Sequence, residues 1–171
     1  MFHLDSHSSI KGINDAKNLG GVDKKIGIVY AQWNLEITSS LLNGAVNELK
    51  SQGVLEHNIV IQAVPGSYEL PYGAKSLIQL HHVDAVIVLG CLIKGETMHF
   101  EYICEAVTQG VMKLGLESNV PVIFGVLAVL TEEQAKVRAG ILPGGHNHGI
   151  SWAQGALQMA SIKQNTWGKA W

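Results

Sequence analysis

The sequence has little cysteine and no large excess of charge of either sign. Among its 171 residues only Cys91 and Cys104 are cysteines, and both lie in apolar stretches. We therefore expect free buried thiols in a cytoplasmic protein rather than a disulfide scaffold. The formal net charge of −2 provides neither the basic surface of a nucleic-acid-binding protein nor a patch for a membrane surface.

Long apolar runs are also missing. The two longest, Val83–Ile93 and Val120–Leu130, are about half the length of a membrane-spanning helix, which needs roughly 20 residues. The segment Met1–Val22 is polar and lacks the apolar stretch of a signal peptide. Since 47% of the residues are hydrophobic, the chain has enough apolar material for one core. We predict a flexible N-terminal arm over residues 1–23 and a single domain over residues 24–171.

What the sequence does contain is an alternation of apolar runs with helical patterns. Four apolar runs predict strands at Lys25–Ala31, Asn58–Val64, Val83–Leu92 and Pro121–Leu130. Helical spacing follows each run, over Leu35–Gln52, from Pro71 to about Leu80, from His99 to about Leu116, after an N-cap at Thr131, and from about Ser151 to Lys163. Uniformly apolar strands that alternate with helices predict an α/β fold, a flavodoxin-like three-layer α/β/α sandwich with a four-stranded parallel sheet and helices on both faces.

Ligands bind such sheets at the carboxyl ends of the strands, so the residues that follow each strand are the functional candidates. Trp33 follows the first strand, where its indole could stack on a planar heterocycle or simply anchor a helix. Ser67, after the second strand, could bind a ligand together with free backbone amides, or serve as an ordinary N-cap.

The stretch Leu92–His99 is the most informative. It follows the most apolar strand, turns at Gly95 and enters a helix at His99. The backbone amides of Glu96 and Thr97 would point outward at the helix start, which favours phosphate binding. The helix field there disfavours a protonated imidazole, which suits His99 to proton transfer near neutrality, although a helix-start histidine can also be a plain surface residue.

Two further features have competing interpretations. Arg138 could bind a phosphate dianion or be a solvated residue on a helix face. His146 and His148 lie in the glycine-rich loop Gly140–Gly149, but two histidines without cysteine or carboxylate fall short of a zinc pattern, and we predict no metal site.

Five collinear blocks carry a resemblance to a known family. They are VPGSYELP, LIKGETMHFEYI, PVIFGVL, TEEQAKVRAG and GGHNHG, at 64–71, 92–103, 121–127, 131–140 and 144–149. Together they resemble lumazine synthases, from about Lys25 to Lys163, and Trp33 and the GGHNHG loop look most like the fungal and yeast members. The resemblance implies a transferase that condenses 5-amino-6-(D-ribitylamino)uracil with 3,4-dihydroxy-2-butanone 4-phosphate, giving 6,7-dimethyl-8-ribityllumazine, phosphate and water in the penultimate step of riboflavin biosynthesis, with no cofactor.

The resemblance also implies roles for individual residues. His99 would be the catalytic proton shuttle. The ribitylaminouracil would be bound by Trp33, Ser67, Tyr68, Glu69, Cys91, Leu92, Ile93 and Phe124, and the phosphate by Glu96, Thr97, Arg138 and His148. Phe124, Arg138 and His148 would come from a neighbouring subunit, which implies a homo-oligomer with active sites at the interfaces. The loop Gly140–Gly149 is longer than in the capsid-forming bacterial members, which by analogy favours a pentamer over a sixty-subunit shell.

The chain departs from the family pattern in two places. Gln32 stands where many members have arginine, and Gly-Ile-Ser-Trp follows His148 where fungal relatives commonly have an acidic pair, which leaves the role of His148 open. Two other functions compete with the enzyme: a module that binds riboflavin without turnover, and a pentameric scaffold with a relict site. His99 and Arg138 favour catalysis, because neither alternative requires them.

Overall fold

A computed structural model describes residues 19–167, with side chains to residue 163. Most of the predicted N-terminal arm, residues 1–18, lies outside the described residues. Residues 19–21 are held against the end of the first helix, where the Leu19 N–H donates to Gln52 Oε1 and the Gly21 N–H donates to the Gln52 carbonyl, both at 3.1 Å.

The described chain alternates strands and helices as expected. The strands are β1 Ile26–Ala31, β2 Ile59–Val64, β3 Ala85–Ile93 and β4 Val122–Val129. The helices are α1 Leu35–Ser51, α2 Leu70–His81, α3 His99–Ser118, α4 Glu132–Arg138 and α5 His148–Trp167, with short 3₁₀ turns at Glu56–Asn58 and Ser67–Glu69. None of the helices within residues 19–167 has the length and apolar character needed to cross a membrane.

The strands form one parallel four-stranded sheet in the order β2-β1-β3-β4. Each face of the sheet carries its own apolar core. Side chains of α1 and α5, such as Leu41 and Leu157, pack on one face, and side chains of α2 and α3, such as Leu70 and Val107, pack on the other. The three-layer α/β/α fold predicted from the sequence is therefore confirmed.

The strand β2 is less covered than the central strand of the sheet. This strand lies at an edge of the sheet, and Ile61 in its middle is 46% exposed. By contrast, the first seven residues of the central strand β3 are buried, because helices cover both of its faces.

The observed starts of the helices can be compared with the capping and proline signals in the sequence. The Thr131 hydroxyl accepts from the Gln134 N–H at 3.2 Å, and Pro71 lies in the first turn of α2, as expected. However, α5 begins at His148 rather than near Ser151, because Asn147 caps the helix: its Oδ1 accepts from the Gly149 N–H at 2.9 Å. His148 is consequently a helical residue and not part of a loop.

Glycine allows α1 and α5 to approach closely. A Cβ on Gly149 would overlap the Leu41 carbonyl oxygen of α1, which is backbone and cannot rotate away. In contrast, a Cβ on Gly115 of α3 would meet its nearest atoms at 3.6 Å, an ordinary contact.

We therefore expect Gly149→Ala to destabilise the protein by about 1–3 kcal/mol through overpacking. Gly115→Ala, the matched control, should be neutral or stabilising by roughly 0.5–1 kcal/mol, since alanine is the better helix former. Thermal melting followed by circular dichroism compares the two variants. Equal melting temperatures would contradict the close packing of α1 on α5.

Candidate active site

A cavity of about 530 Å³ opens at the carboxyl ends of β1, β2 and β3. Parallel sheets bind ligands at this edge, where neighbouring strands connect in opposite directions. Here the chain passes from β1 to β2 on one side of β1, and β3 and β4 lie on its other side. Its walls contain nine of the residues predicted for the site. They are Trp33, Ser67, Tyr68, Glu69, Cys91, Leu92, Ile93, Thr97 and His99.

The cavity exists because the sheet splits. The pairing of β1 with β3 ends at the register pair Tyr30–Leu89, whereas the pairing of β3 with β4 continues to Ile93–Val129. The last residues of β3 therefore have a strand neighbour on the β4 side only. On the β1 side, no strand pairs with the backbone of Cys91–Ile93, so the groups there that no side chain engages are available to a ligand with donors and acceptors on its edge.

Asn34 spans this gap and was not predicted as a site residue. Its Nδ2 donates to the Cys91 carbonyl at 2.9 Å, and its backbone adopts the left-handed conformation, with φ of 58°. Asparagine is among the few non-glycine residues that tolerate this conformation. The residue type hinted at a turn after β1, but its partner lies 57 positions away, which no local pattern reveals.

Trp33 projects from the same turn. Its side chain is 74% exposed, so most of its surface remains free to contact a ligand. The turn itself is fixed, because the Trp33 N–H donates to the Pro65 carbonyl at 3.1 Å. An exposed indole on a held backbone fits stacking better than the alternative of a helix anchor.

The segment after β2 forms the opposite wall. Ser67 is only 5% exposed, and Gly90 makes room for it, since a Cβ on Gly90 would lie 2.6 Å from the Ser67 hydroxyl oxygen. Glu69 turns back, and its Oε2 accepts from the Gly66 N–H at 2.9 Å. This hydrogen bond holds the carboxylate in the cavity wall and leaves acceptor capacity for a ligand hydroxyl.

The Lys94–Met98 turn brings His99 to the cavity at the first residue of α3. Thr97 Oγ1 lies 3.4 Å from the His99 backbone nitrogen, and no hydrogen bond within the described part of the chain engages the N–H groups of Glu96 and Thr97. Glu96 is exposed beside the cavity rather than in its wall. The turn thus presents unpaired amides at a helix start, which favours an anion.

An ion pair braces this turn. The ammonium group of Lys94 pairs with the carboxylate of Glu101 in α3. The backbone N–H of Lys94 donates to the Val129 carbonyl of β4 at 2.9 Å. The Lys94 ammonium also lies 5.7 Å from the centroid of the Phe100 ring. These contacts tie the start of the turn to both β4 and α3, and so limit where His99 can move.

Cys91 lines the cavity, but its thiol is a poor nucleophile. Burial raises its pKa to about 11, so that the thiolate is scarce at neutral pH. Cys91 can therefore contribute backbone groups and shape, but not covalent catalysis. Both cysteines are free, as expected from the sequence.

Besides Glu96, three predicted residues lie outside the cavity wall. Phe124, on β4, is 38% exposed and lines a second, apolar cavity of about 470 Å³ with residues of α3 and α5. Arg138 ends α4, and its Nη1 donates to the Gln134 carbonyl at 3.1 Å. His148 begins α5, with its ring centroid 5.9 Å from that of Trp152.

Arg138 and His148 belong to one electrostatic neighbourhood. The pKa of His148 is lowered, first by burial and then by the positive charges of His146 and Arg138. His148 is therefore biased toward its neutral form, so Arg138 supplies the fixed positive charge here and His148 can supply a ring N–H to an anion. Among the described residues, no three His, Cys, Asp or Glu side chains are arranged to hold a metal ion.

The chain is similar to known proteins of one family. A family model described as 6,7-dimethyl-8-ribityllumazine synthase matches residues 23–164. A protein of that name from Schizosaccharomyces pombe is 52% identical over 153 residues, which cover 89% of this chain and 95% of the relative.

Other similar proteins carry the same name. One from Porphyromonas gingivalis is 48% identical over 144 residues, covering 84% of this chain and 88% of the relative. One from Pyricularia oryzae is 41% identical over an alignment of 179 positions, covering 84% and 89%. The resemblance noted in the sequence is confirmed: the chain belongs to the 6,7-dimethyl-8-ribityllumazine synthase family.

Proposed function

We propose that the protein is a lumazine synthase of riboflavin biosynthesis, a transferase that joins 5-amino-6-(D-ribitylamino)uracil to 3,4-dihydroxy-2-butanone 4-phosphate. Family membership supports the activity. The observation that carries the proposal is the cavity, where an exposed indole, unpaired strand backbone and His99 face the same space.

The uracil substrate fits the deeper part of this cavity. Trp33 stacks on the pyrimidine ring, and the free backbone edge of Cys91, Leu92 and Ile93 hydrogen-bonds its polar rim. The ribityl chain then runs along the wall after β2, where Ser67, Tyr68 and Glu69 offer hydroxyl and carboxylate partners. The split between β1 and β3 supports this placement.

The sugar phosphate lies at the α3 end of the cavity. The amides of Glu96 and Thr97 bind the phosphate, aided by the positive end of the helix dipole. This places the carbonyl carbon of the butanone between His99 and the 5-amino group of the uracil. The N–H groups of Glu96 and Thr97, which no hydrogen bond within the described residues engages, support this assignment of the phosphate.

His99 then moves protons. The 5-amino nitrogen attacks the butanone carbonyl, a C–N bond forms, and protonation of the resulting hydroxyl lets water leave as the imine forms. Removal of a proton from the adjacent carbon, which carries a hydroxyl, allows the C–O bond to phosphate to break and leaves an enol. The enol takes up a proton at its terminal carbon and becomes a ketone, and the second amine condenses with that ketone, which closes the ring with loss of a second water. Such acid–base help contributes about 10²–10⁴-fold, and correct orientation of the two substrates contributes as well.

We further propose a homopentamer in which a neighbouring subunit completes each site with Phe124, Arg138 and His148. Within the described chain these three residues do not line the cavity that contains His99, although the guanidinium of Arg138 and a ring N–H of His148 are both suited to phosphate. Exposed apolar side chains around Phe124, including Met112 and Leu116, are also the kind of surface that subunit contacts bury. A cytoplasmic location stays a prediction, in keeping with the two free cysteines.

Mixing the purified protein with both substrates tests the activity. We expect lumazine absorbance and free phosphate to appear together, well above the rate of spontaneous condensation. Turnover no faster than that background would refute the proposal.

Riboflavin added to the same assay should inhibit competitively against the uracil, since Trp33 can also stack on a flavin ring. The lack of any inhibition would argue against riboflavin binding.

Arg138→Ala tests the phosphate assignment. Loss of a charge-assisted contact to phosphate should raise the KM for the sugar phosphate about 10- to 100-fold and leave the KM for the uracil nearly unchanged. Lys136→Ala is the matched control on the same helix, because Lys136 is already paired with Glu132 at 2.8 Å and Glu36 at 3.4 Å. Steady-state kinetics with each substrate varied in turn measure the two KM values. Equal increases in both would contradict the assignment of Arg138 to the phosphate.

A further inference from the structure

Asn147 occupies a site that three glycines make possible. A Cβ on Gly44 of α1 would lie 2.5–2.7 Å from the Asn147 amide group, one on Gly149 would lie 2.8 Å from its Oδ1, and one on Gly140 would lie 3.0 Å from its Cβ. Gly44 lies in the interior of α1, where glycine costs roughly 1 kcal/mol relative to alanine. Close packing around the Asn147 side chain explains why glycine is used there.

The Asn147 amide connects two helices. Its Nδ2 donates to the Ser40 carbonyl of α1 at 2.8 Å, and its Oδ1 accepts from the Gly149 N–H of α5 at 2.9 Å. One side chain therefore uses its donor and its acceptor on different helices. Replacing it removes both links at once.

A second link closes the arrangement through Ser40. The Ser40 hydroxyl donates to the Ala139 carbonyl at 2.8 Å, and Ala139 forms a backbone bridge with Asn147. Ala139 directly follows Arg138, and Asn147 directly precedes His148. The same turn of α1 thus holds Ala139 and Asn147, the backbone neighbours of Arg138 and His148.

We propose that Asn147 is a positioning residue for phosphate recognition: its amide ties the start of α5 to the Ser40 carbonyl of α1, while the Ser40 hydroxyl holds Ala139 at the end of α4, and together these bonds fix Arg138 and His148 in the relative orientation that binds the phosphate of the substrate. This inference rests on the proposed function, in which these two residues contact phosphate. It assigns to Asn147 no contact with the substrate. A phosphate held by two side chains loses affinity when either is displaced by about 1 Å.

The test compares Asn147→Ala and Ser40→Ala with Ser39→Ala as the matched control. Ser39 lies next to Ser40 on α1, but its hydroxyl bonds only to carbonyls of its own helix. Ser40→Ala removes only the link to Ala139 on a helix that tolerates alanine, so it remains informative if Asn147→Ala does not fold. The readouts are the KM for each substrate, kcat, and the inhibition constant of inorganic phosphate.

We expect Asn147→Ala, which removes two hydrogen bonds, to raise both the KM for the sugar phosphate and the inhibition constant of phosphate about 30-fold. Ser40→Ala, which removes one, should raise them about fivefold, since each bond is worth about 1 kcal/mol. The KM for the uracil and all constants of Ser39→Ala should stay within about twofold. A lower melting temperature with unchanged KM values, or equal increases for both substrates, would show that Asn147 only stabilises the fold.

The outcomes also separate this inference from the proposed function. If the unmodified protein shows no turnover and phosphate does not inhibit, the proposed function fails. If the unmodified protein is active and Arg138→Ala raises the KM for the sugar phosphate, but neither Asn147→Ala nor Ser40→Ala does, the positioning role alone fails.

Discussion

The pairing of β1 with β3 stops at Leu89, and the rest of the site depends on that stop. Because β3 continues beside β4 for four more register pairs, to Ile93–Val129, it carries unpaired backbone groups into the space above β1. Those groups need partners. Asn34 supplies one for the Cys91 carbonyl, and a bound heterocycle would supply the others. The same split leaves room for Trp33 on one side and for Ser67 on the other.

The second constraint is that Arg138 and His148 are held away from this cavity. Arg138 and His148 lie at the end of α4 and the start of α5, and the cavity wall is built from residues after β1, β2 and β3. Asn147 and Ser40 tie the pair to α1, so a local rearrangement would have to break several hydrogen bonds. A site assembled from two copies of the chain reconciles this separation with the proposed chemistry.

Much of the fold was predictable because its signals are local. The apolar runs gave the four strands, and Pro71 and Thr131 marked helix starts that the structure contains. Trp33, Ser67, Thr97 and His99 were predictable as site candidates, since each follows a strand whose carboxyl end faces the ligand edge. The strand β2 was predicted, but its position at the edge of the sheet was not, because strand order depends on pairing between segments far apart in the chain.

The rest depended on contacts between residues far apart in the chain. Asn34 and Cys91, or Asn147 and Ser40, are joined across 57 and 107 positions, and no periodicity reports such pairs. The start of α5 was misplaced because GGHNHG reads as a glycine-rich loop, although its asparagine caps a helix. Roles for Phe124 and His148 came only from the family resemblance, and the residue pattern alone left Arg138 open between phosphate binding and a solvated helix face. A single chain does not place them beside His99.

The central claim is that the site is shared between subunits, and mixed assemblies test it directly. His99→Ala and Arg138→Ala, each of low activity alone, would be unfolded together and refolded as mixed oligomers, with each variant refolded separately as the control. If His99 of one chain works with Arg138 of its neighbour, some interfaces in the mixture contain both intact residues, and activity should rise clearly above that of either variant. Activity equal to the average of the two separate samples would contradict a shared site.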